Sequence, residues 1–204
     1  MTSSVYQLPP DLPVPVDDGA CDHLSALPLP GIALASTRGR AMRLDEIAAR
    51  PSVFFLYPRT GQFGATSGPE WDAIPGARGC TPQACGYRDL YREFLSQGIQ
   101  VFGISTQTTA YQREFVERNH VPFELLSDAD LDLARALRLP TFDYPVASGG
   151  GSTLLKRMAW YADRGRIEKV WYPVFPPDRN AETVLEWLQA RARLLGAGRD
   201  VELA

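Results

Sequence analysis

The sequence predicts an α/β chain built on a central mixed β-sheet flanked by helices, and three observations carry that prediction. Residues 53–57 form a continuous apolar run, as expected of a strand buried on both faces. Strand-like and helix-like segments then alternate from Cys80 to Leu126, which is the pattern of parallel strands joined by crossover helices. Last, two apolar runs at 154–162 and 167–172 flank the turn Asp163-Arg164-Gly165-Arg166, a hairpin signal that adds antiparallel strands.

The elements follow in order. Residues 1–27 hold Pro9, Pro10, Pro13 and Pro15 with little periodicity and read as an extended arm, free to pack on a neighbouring subunit. Residues 32–35 read as a short strand and 44–49 as a short helix. Between 61 and 75, Gly61, Gly64, Gly68, Pro69 and Pro75 punctuate the chain as a flexible insertion would. A helix then starts at or near Cys80. Thr81 and Pro82 suit a first turn, where proline removes no intrahelical hydrogen bond, and Tyr87, Leu90, Tyr91 and Phe94 form a stripe at helical spacing. It runs to about Ser96, and Gly98 ends it.

Residues 100–105 read as a strand and 108–118 as a helix with Tyr111 and Phe115 on one face. His120 follows that helix as a C-terminal cap. After a short strand at 123–126, Ser127 or Asp128 caps a helix carrying Leu131, Ala134 and Leu137, closed by Pro140. Asp128, Asp130 and Asp132 lack the glycine and distant glutamate of a calcium loop and fit helix capping instead. Ser148-Gly149-Gly150-Gly151-Ser152 reads as a flexible connection. Asp178 or Asn180 caps a last helix whose Val184, Leu185, Leu188 and Leu195 face the core. The division expected is an arm over 1–27 and one domain over 28–204.

Composition narrows the function. A chain of 204 residues, 45% hydrophobic, can bury one sizeable core. The net charge of −3 and pI near 5.4 leave no footprint for nucleic acid, and no basic block suggests an anionic membrane surface. No stretch reaches the length of a membrane span and the N-terminus does not read as a signal peptide, so a soluble, cytoplasmic protein is expected. With three cysteines and two histidines, no zinc-ligand spacing forms, and no phosphate-cradling glycine motif occurs; neither a metal nor a nucleotide cofactor is expected. His23 and His120 are candidates for a cysteine-protease base only if the fold brings them to Cys80. Cys21 has no partner by spacing and reads as a free thiol or, less directly, as a second resolving thiol for Cys80.

Cys80 and Cys85 carry the chemistry. A thiol is nucleophilic as thiolate, which a helix N-terminus or a neighbouring cation favours, and Cys80 stands at such a terminus. Residues five apart on a helix differ by about 140° in azimuth and lie roughly 8–9 Å apart at Cα, beyond the reach of about 4.4–6.8 Å that a disulfide needs. Joining them therefore requires the first turns to unwind. Two buried structural cysteines that share a helix remain the alternative, since free cysteine is among the most buried residue types.

The motif Phe54-Phe55-Leu56-Tyr57-Pro58, followed by Cys80-Thr81, Cys85, Arg88 and Asp89, resembles a peroxiredoxin of the Q-type, or bacterioferritin-comigratory, branch. So does Arg157-Met158-Ala159-Trp160 ahead of Asp163 and Gly165, where Trp160 replaces the usual phenylalanine. The resemblance spans roughly residues 53–195 and implies a thioredoxin-like fold with an N-terminal arm and an insertion before the active-site helix. It implies that Cys80 is the peroxidatic and Cys85 the resolving cysteine, that Arg157 stabilises thiolate and peroxide, and that Pro58 belongs to the active-site loop. The chain departs from the family where the loop threonine belongs: Ala77 stands there, and Pro58 is separated from Cys80 by residues 59–79. Thr60 is the candidate to supply that hydroxyl across the insertion.

By the same resemblance the activity is reduction of hydrogen peroxide and organic hydroperoxides through a sulfenic acid and a Cys80–Cys85 disulfide, recycled by thioredoxin or a similar dithiol, in a monomer or homodimer. Two other classes stand beside it: a redox sensor or partner-binding module with slow peroxide turnover, and an inert scaffold with buried thiols.

Overall fold

The computed structural model describes residues 8–62, 68–144 and 152–202, with side chains in the last helix as far as residue 195. Residues 1–7 of the arm, 63–67 of the insertion and the glycines of the 148–152 connection lie outside the described residues. Among the described residues nine strands are formed: β1 (Ala33–Ser36), β2 (Ala41–Arg43), β3 (Ser52–Leu56), β4 (Gln100–Ser105), β5 (Glu124–Ser127), β6 (Thr141–Asp143), β7 (Thr153–Leu155), β8 (Met158–Asp163) and β9 (Arg166–Trp171). The helices are α1 (Leu44–Ile47), α2 (Pro69–Asp72), α3 (Cys80–Asp89), α4 (Tyr91–Ser96), α5 (Thr109–Asn119), α6 (Asp132–Ala136) and α7 (Asn180–Glu202).

Seven strands make one sheet in the order β2-β1-β5-β4-β3-β8-β9. The apolar run of β3 occupies an interior place, parallel to β4 and antiparallel to β8, so both its edges are paired and both its faces are covered. β4 and β5 are parallel, whereas β1 joins β5 and β9 joins β8 antiparallel. This is the mixed, thioredoxin-like sheet expected. One face packs Phe54, Leu56, Ile104 and Trp160 against Leu24, Leu44 and Leu133. The other packs Phe55, Tyr57, Val101 and Tyr161 against α3, Phe115 and α7. Side chains of a strand alternate between faces, so β3 alone seeds both cores. Gly103 lies where β4 meets this second core; a Cβ there would stand 2.5 Å from Leu125 Cδ2 and 2.6 Å from Phe55 Cζ.

Several expectations need correction. The run 154–162 is not one strand: β7 pairs with β6 in a separate two-stranded sheet, and β8 enters the main sheet. Lys156 and Arg157 form the step between the two, so Arg157 precedes a strand rather than standing inside one. The long cysteine helix breaks at Leu90, whose φ of −98° and ψ of 11° separate α3 from α4. The insertion is partly folded, because α2 buries Trp71 with Ala77 and Leu154. Leu195 is half exposed, beyond the point where α7 leaves the core. Asn180 is the first residue of α7, but its side chain turns to α3 instead of capping its own helix.

The described arm makes backbone contacts along one edge of the main sheet. Ala26 N–H donates to Ile167 O, Leu29 N–H to Gly165 O and Ile167 N–H to Leu27 O, so residues 26–29 line the β9 edge. Other expectations hold. Thr108 accepts from Tyr111 N–H at the start of α5, and His120 closes that helix in the left-handed region with φ 52°. Asp128 accepts from the amides of Leu133 and Ala134 at the start of α6.

Candidate active site

Gly79, at φ 101°, turns the chain from the 76–78 loop into α3, and Cys80 is the first residue of that helix. The position requires glycine twice over: a Cβ would sit 2.3 Å from Pro177 Cγ and 2.9 Å from Leu8 Cδ2, and left-handed backbone is strained for other residues. Gln83 N–H closes the first turn onto Gly79 O. The amides of Cys80 and Thr81 precede that bond and Pro82 has none, so the terminus presents the positive end of the helix beside the Cys80 sulfur.

Arg157 supplies the second positive element. Although only 3% exposed, it has no carboxylate partner among its hydrogen bonds. Its Nε donates to Gly76 O at 3.2 Å, and its Nη2 is shared among Ala77 O at 3.0 Å, Arg78 O at 3.1 Å and Cys80 Sγ at 3.1 Å. Nη1 donates to Gln83 Oε1. A buried charge is tolerated only where dipoles satisfy it, and here loop carbonyls satisfy it while leaving its full positive charge uncancelled. The sulfur is thus the anion-capable group that this guanidinium faces. The Cys80 thiol in turn points at Ala77 O, 3.6 Å away.

Cys85 lies 8% exposed on the same unbroken helix, and all three cysteines are free thiols. Burial pushes the Cys85 thiol up, Arg88 opposes this, and Asp89 adds to it. Both sulfurs are attached to consecutive turns of regular helix, so the geometric obstacle to their direct bonding is present in the folded chain.

The loop residues fall as follows. Pro58 is buried two residues past β3. Thr60 is buried as well, and its hydroxyl donates to Gln107 Oε1 at 3.2 Å while Gln107 Nε2 returns a bond to Thr60 O. Gln107, two residues past β4, is the residue engaging it; no hydrogen bond among the described residues links Thr60 to Cys80. Cys21 sits on the far side of the sheet, its Sγ 3.8 Å from Met158 Sδ, which separates it from Cys80. His23 contacts Leu137 O there, and neither it nor His120 reaches the Cys80 site.

Three participants escaped the sequence reading. Gln83 and Asn180 are buried polar residues that extend the Arg157 network, and only the lone glutamine within the first turn of a largely buried helix hinted at one of them. Tyr57 shares the Cys80 core cluster; burial raises its phenol well above the ordinary value, with the nearby Cys80 adding to the effect, so it stays neutral. A cavity of about 330 Å³ lies behind Arg157, lined by Val14, Val16, Ile74, Gly76, Tyr172 and Val174 among others. Among the described residues no cluster of three or more potential metal ligands occurs, and no helix is long and apolar enough to cross a membrane.

The model of the AhpC/TSA family matches residues 73–159, which include both helix cysteines and Arg157. Over those residues the chain is similar to the AhpC/TSA family. Its relatives include the chloroplastic peroxiredoxin Q of Oryza sativa subsp. japonica, 30% identical over 162 residues that cover 79% of this chain and 64% of the rice protein. That of Sedum lineare is 28% identical over 162 residues, covering 79% of this chain and 75% of the relative. The chain therefore spans less than two thirds of the rice relative's length. Among solved structures, peroxidoxin BcpB from Mycobacterium tuberculosis has a TM-score of 0.63 at 26% identity, covering 81% of this chain and 96% of that one. The bacterioferritin comigratory protein of Xanthomonas campestris has a TM-score of 0.60 at 21% identity, covering 89% and 99%, and shows the same fold. In this chain two positive elements, the start of α3 and Arg157, converge on the Cys80 sulfur.

Proposed function

We propose that the chain is a thiol peroxidase in which Cys80 reduces hydroperoxides and Cys85 resolves the product. The observation that carries this is the 3.1 Å contact from Arg157 Nη2 to Cys80 Sγ at the start of α3. The Cys80 thiolate attacks the distal peroxide oxygen; an S–O bond forms as the O–O bond breaks, and the leaving alkoxide or hydroxide takes a proton to give alcohol or water. Charge passes from sulfur to oxygen in that step, so fixed donors beside the sulfur stabilise its transition state without reorganising. Arg157 and the first amides of α3 supply them.

Resolution follows when Cys85 attacks the sulfenic sulfur, forming the disulfide and releasing water, the reversible lower part of the cysteine oxidation ladder. The first turns of α3 unwind for this step. A dithiol such as thioredoxin then reduces the disulfide, in keeping with the reducing compartment, the cytoplasm, that suits a chain with free thiols. The test is mass measurement after one equivalent of peroxide. Loss of two hydrogens with a mapped Cys80–Cys85 link is expected; Cys80→Ser should abolish peroxide consumption, and Cys85→Ser should permit one oxidation but no recycling by thioredoxin. Full turnover by the Cys80 variant would overturn the proposal. Slow oxidation by peroxide with fast oxidation by disulfide donors would favour a redox sensor instead.

A further inference from the structure

The network behind Arg157 ends on a residue from a distant part of the chain. Asn180 is 4% exposed, and its Oδ1 accepts from Gln83 Nε2 at 2.9 Å and from Tyr87 Oη at 2.8 Å. Gln83 and Tyr87 are four apart on α3, hence on one face, and both are fully buried. The direction of every bond is set by chemistry. An arginine can only donate, so Gln83 must turn its Oε1 to Arg157; its other amide atom, Nε2, then faces Asn180 and can only donate. The Asn180 atom between the two partners is therefore the oxygen, and Tyr87 must donate to it. One acceptor terminates two buried donors, and through Gln83 it fixes the guanidinium that touches the Cys80 sulfur.

Resting on the peroxidase reading above, we infer that Asn180 is a positioning residue that couples Arg157 alignment to the unwinding of α3. Gln83 lies between Cys80 and Cys85, in the turns that must open before the two sulfurs can meet. Opening them pulls Gln83 from Arg157 and from Asn180 together. Asn180 thus has two opposed effects: it speeds the oxidation of Cys80 by holding Arg157 in place, and it slows disulfide formation by holding α3 helical. A slower resolution leaves sulfenic Cys80 exposed for longer to a second hydroperoxide, which transfers a further oxygen to give sulfinic acid.

Rapid quenching with a thiol-alkylating reagent, followed by mass measurement, separates the two rates in the intact chain. In Asn180→Leu, oxidation of Cys80 by hydrogen peroxide should slow by about tenfold or more, the order expected when a reacting group loses its alignment. Disulfide formation should become faster and the sulfinic fraction at excess peroxide should fall. Asn180→Asp keeps the accepting oxygen and should restore both rates towards the wild type. If the leucine variant does not fold, Asn180→Ser, whose hydroxyl is too short to reach both donors, should shift the two rates in the same opposed directions. Unchanged rates in the leucine or serine variant, or both rates falling together, would overturn the inference. Loss of the peroxidase reading itself has a different signature, namely wild-type protein that forms no Cys80 sulfenic acid at all.

Discussion

Asp18 Oδ2 lies 2.9 Å from Lys156 Nζ, and its Oδ1 accepts from Tyr172 Oη at 2.8 Å, so the N-terminal arm is fastened to the residue immediately before Arg157. The arm then runs past the 76–79 loop, bringing Pro15 near Gly76 and Leu8 near Gly79. Lys156 and Arg157 point in opposite senses from the step between β7 and β8, one to the arm and one to the cysteine helix. The Lys156, Tyr172 and Ala20 hydrogen bonds lower the Asp18 carboxyl from 3.8 to about 2. A carboxyl depressed in the folded chain stabilises it above the unfolded value and loses that contribution as pH falls towards the folded one. Release of the arm is therefore expected between about pH 4 and pH 2. Because the pair is solvent-exposed, added salt should weaken it at neutral pH. Proteolysis of the arm in the wild type and in Asp18→Asn checks this; the variant should be cut faster at neutral pH and show no further acceleration through the acid window.

Arg157→Met should damage stability and chemistry together. It leaves the carbonyls of Gly76, Ala77 and Arg78 and the Gln83 amide oxygen without their donor, and each buried polar group so abandoned costs about 1–3 kcal/mol. Arg157→Lys retains charge but lacks the planar fork that meets loop, glutamine and sulfur at once. Loss of a positioned donor at a developing charge slows such steps by about a hundredfold or more, and stopped-flow oxidation of Cys80 should show that loss in both variants. Denaturant unfolding should separate them, with methionine the less stable.

Much of this arrangement is legible in the sequence because it follows local rules. Pro82 and the Tyr87, Leu90, Phe94 stripe place a helix start at Cys80, and the even apolar run of 53–57 marks an interior strand. Register with Asp163 and Gly165 locates Arg157, although it stands immediately before β8 rather than inside a strand. Leu154 and Leu155 continue the apolar pattern of Met158, and periodicity alone does not reveal that the chain changes sheets between them. Asn180 shows a different limit. A polar residue at a helix start reads as a cap, and only tertiary structure shows its oxygen spent on Gln83 and Tyr87 of a helix over ninety residues earlier. Thr60 illustrates the same point, since its partner Gln107 lies two residues beyond β4, 47 positions along the chain.

Gly79→Ala should be harmful beyond its size. The added Cβ would meet the Pro177 ring and Leu8 while the backbone stays at φ 101°, a conformation that costs an alanine about 1–3 kcal/mol. Relief requires moving Pro177, the first residue of the 3-10 turn Pro177–Arg179 that leads into Asn180. The variant should lose thermal stability and, at temperatures where it remains folded, oxidise Cys80 more slowly. Gly39→Ala tests the backbone strain alone, because that glycine is also left-handed but has open space around it; its effect should be confined to stability.

The thiol of Cys21 supplies a pH prediction independent of α3. Burial first, and then the neighbouring Asp18, Asp17 and Asp22 carboxylates, push it from an ordinary value of 9.0 to about 12. A thiol raised in the folded state binds more protons there than in the unfolded chain, so its stabilising contribution is complete below pH 9 and is lost as pH rises from 9 towards 12. Alkaline unfolding should therefore be less steep in Cys21→Ala than in the wild type over that interval, even though the variant starts less stable from the lost contact with Met158. Alkylation of the native protein at pH 8 should leave Cys21 unmodified until the chain unfolds, because the reactive thiolate is both scarce and covered. Rapid native labelling of Cys21, or identical alkaline profiles for the two proteins, would show that the arm does not hold this sulfur in the core as the geometry requires.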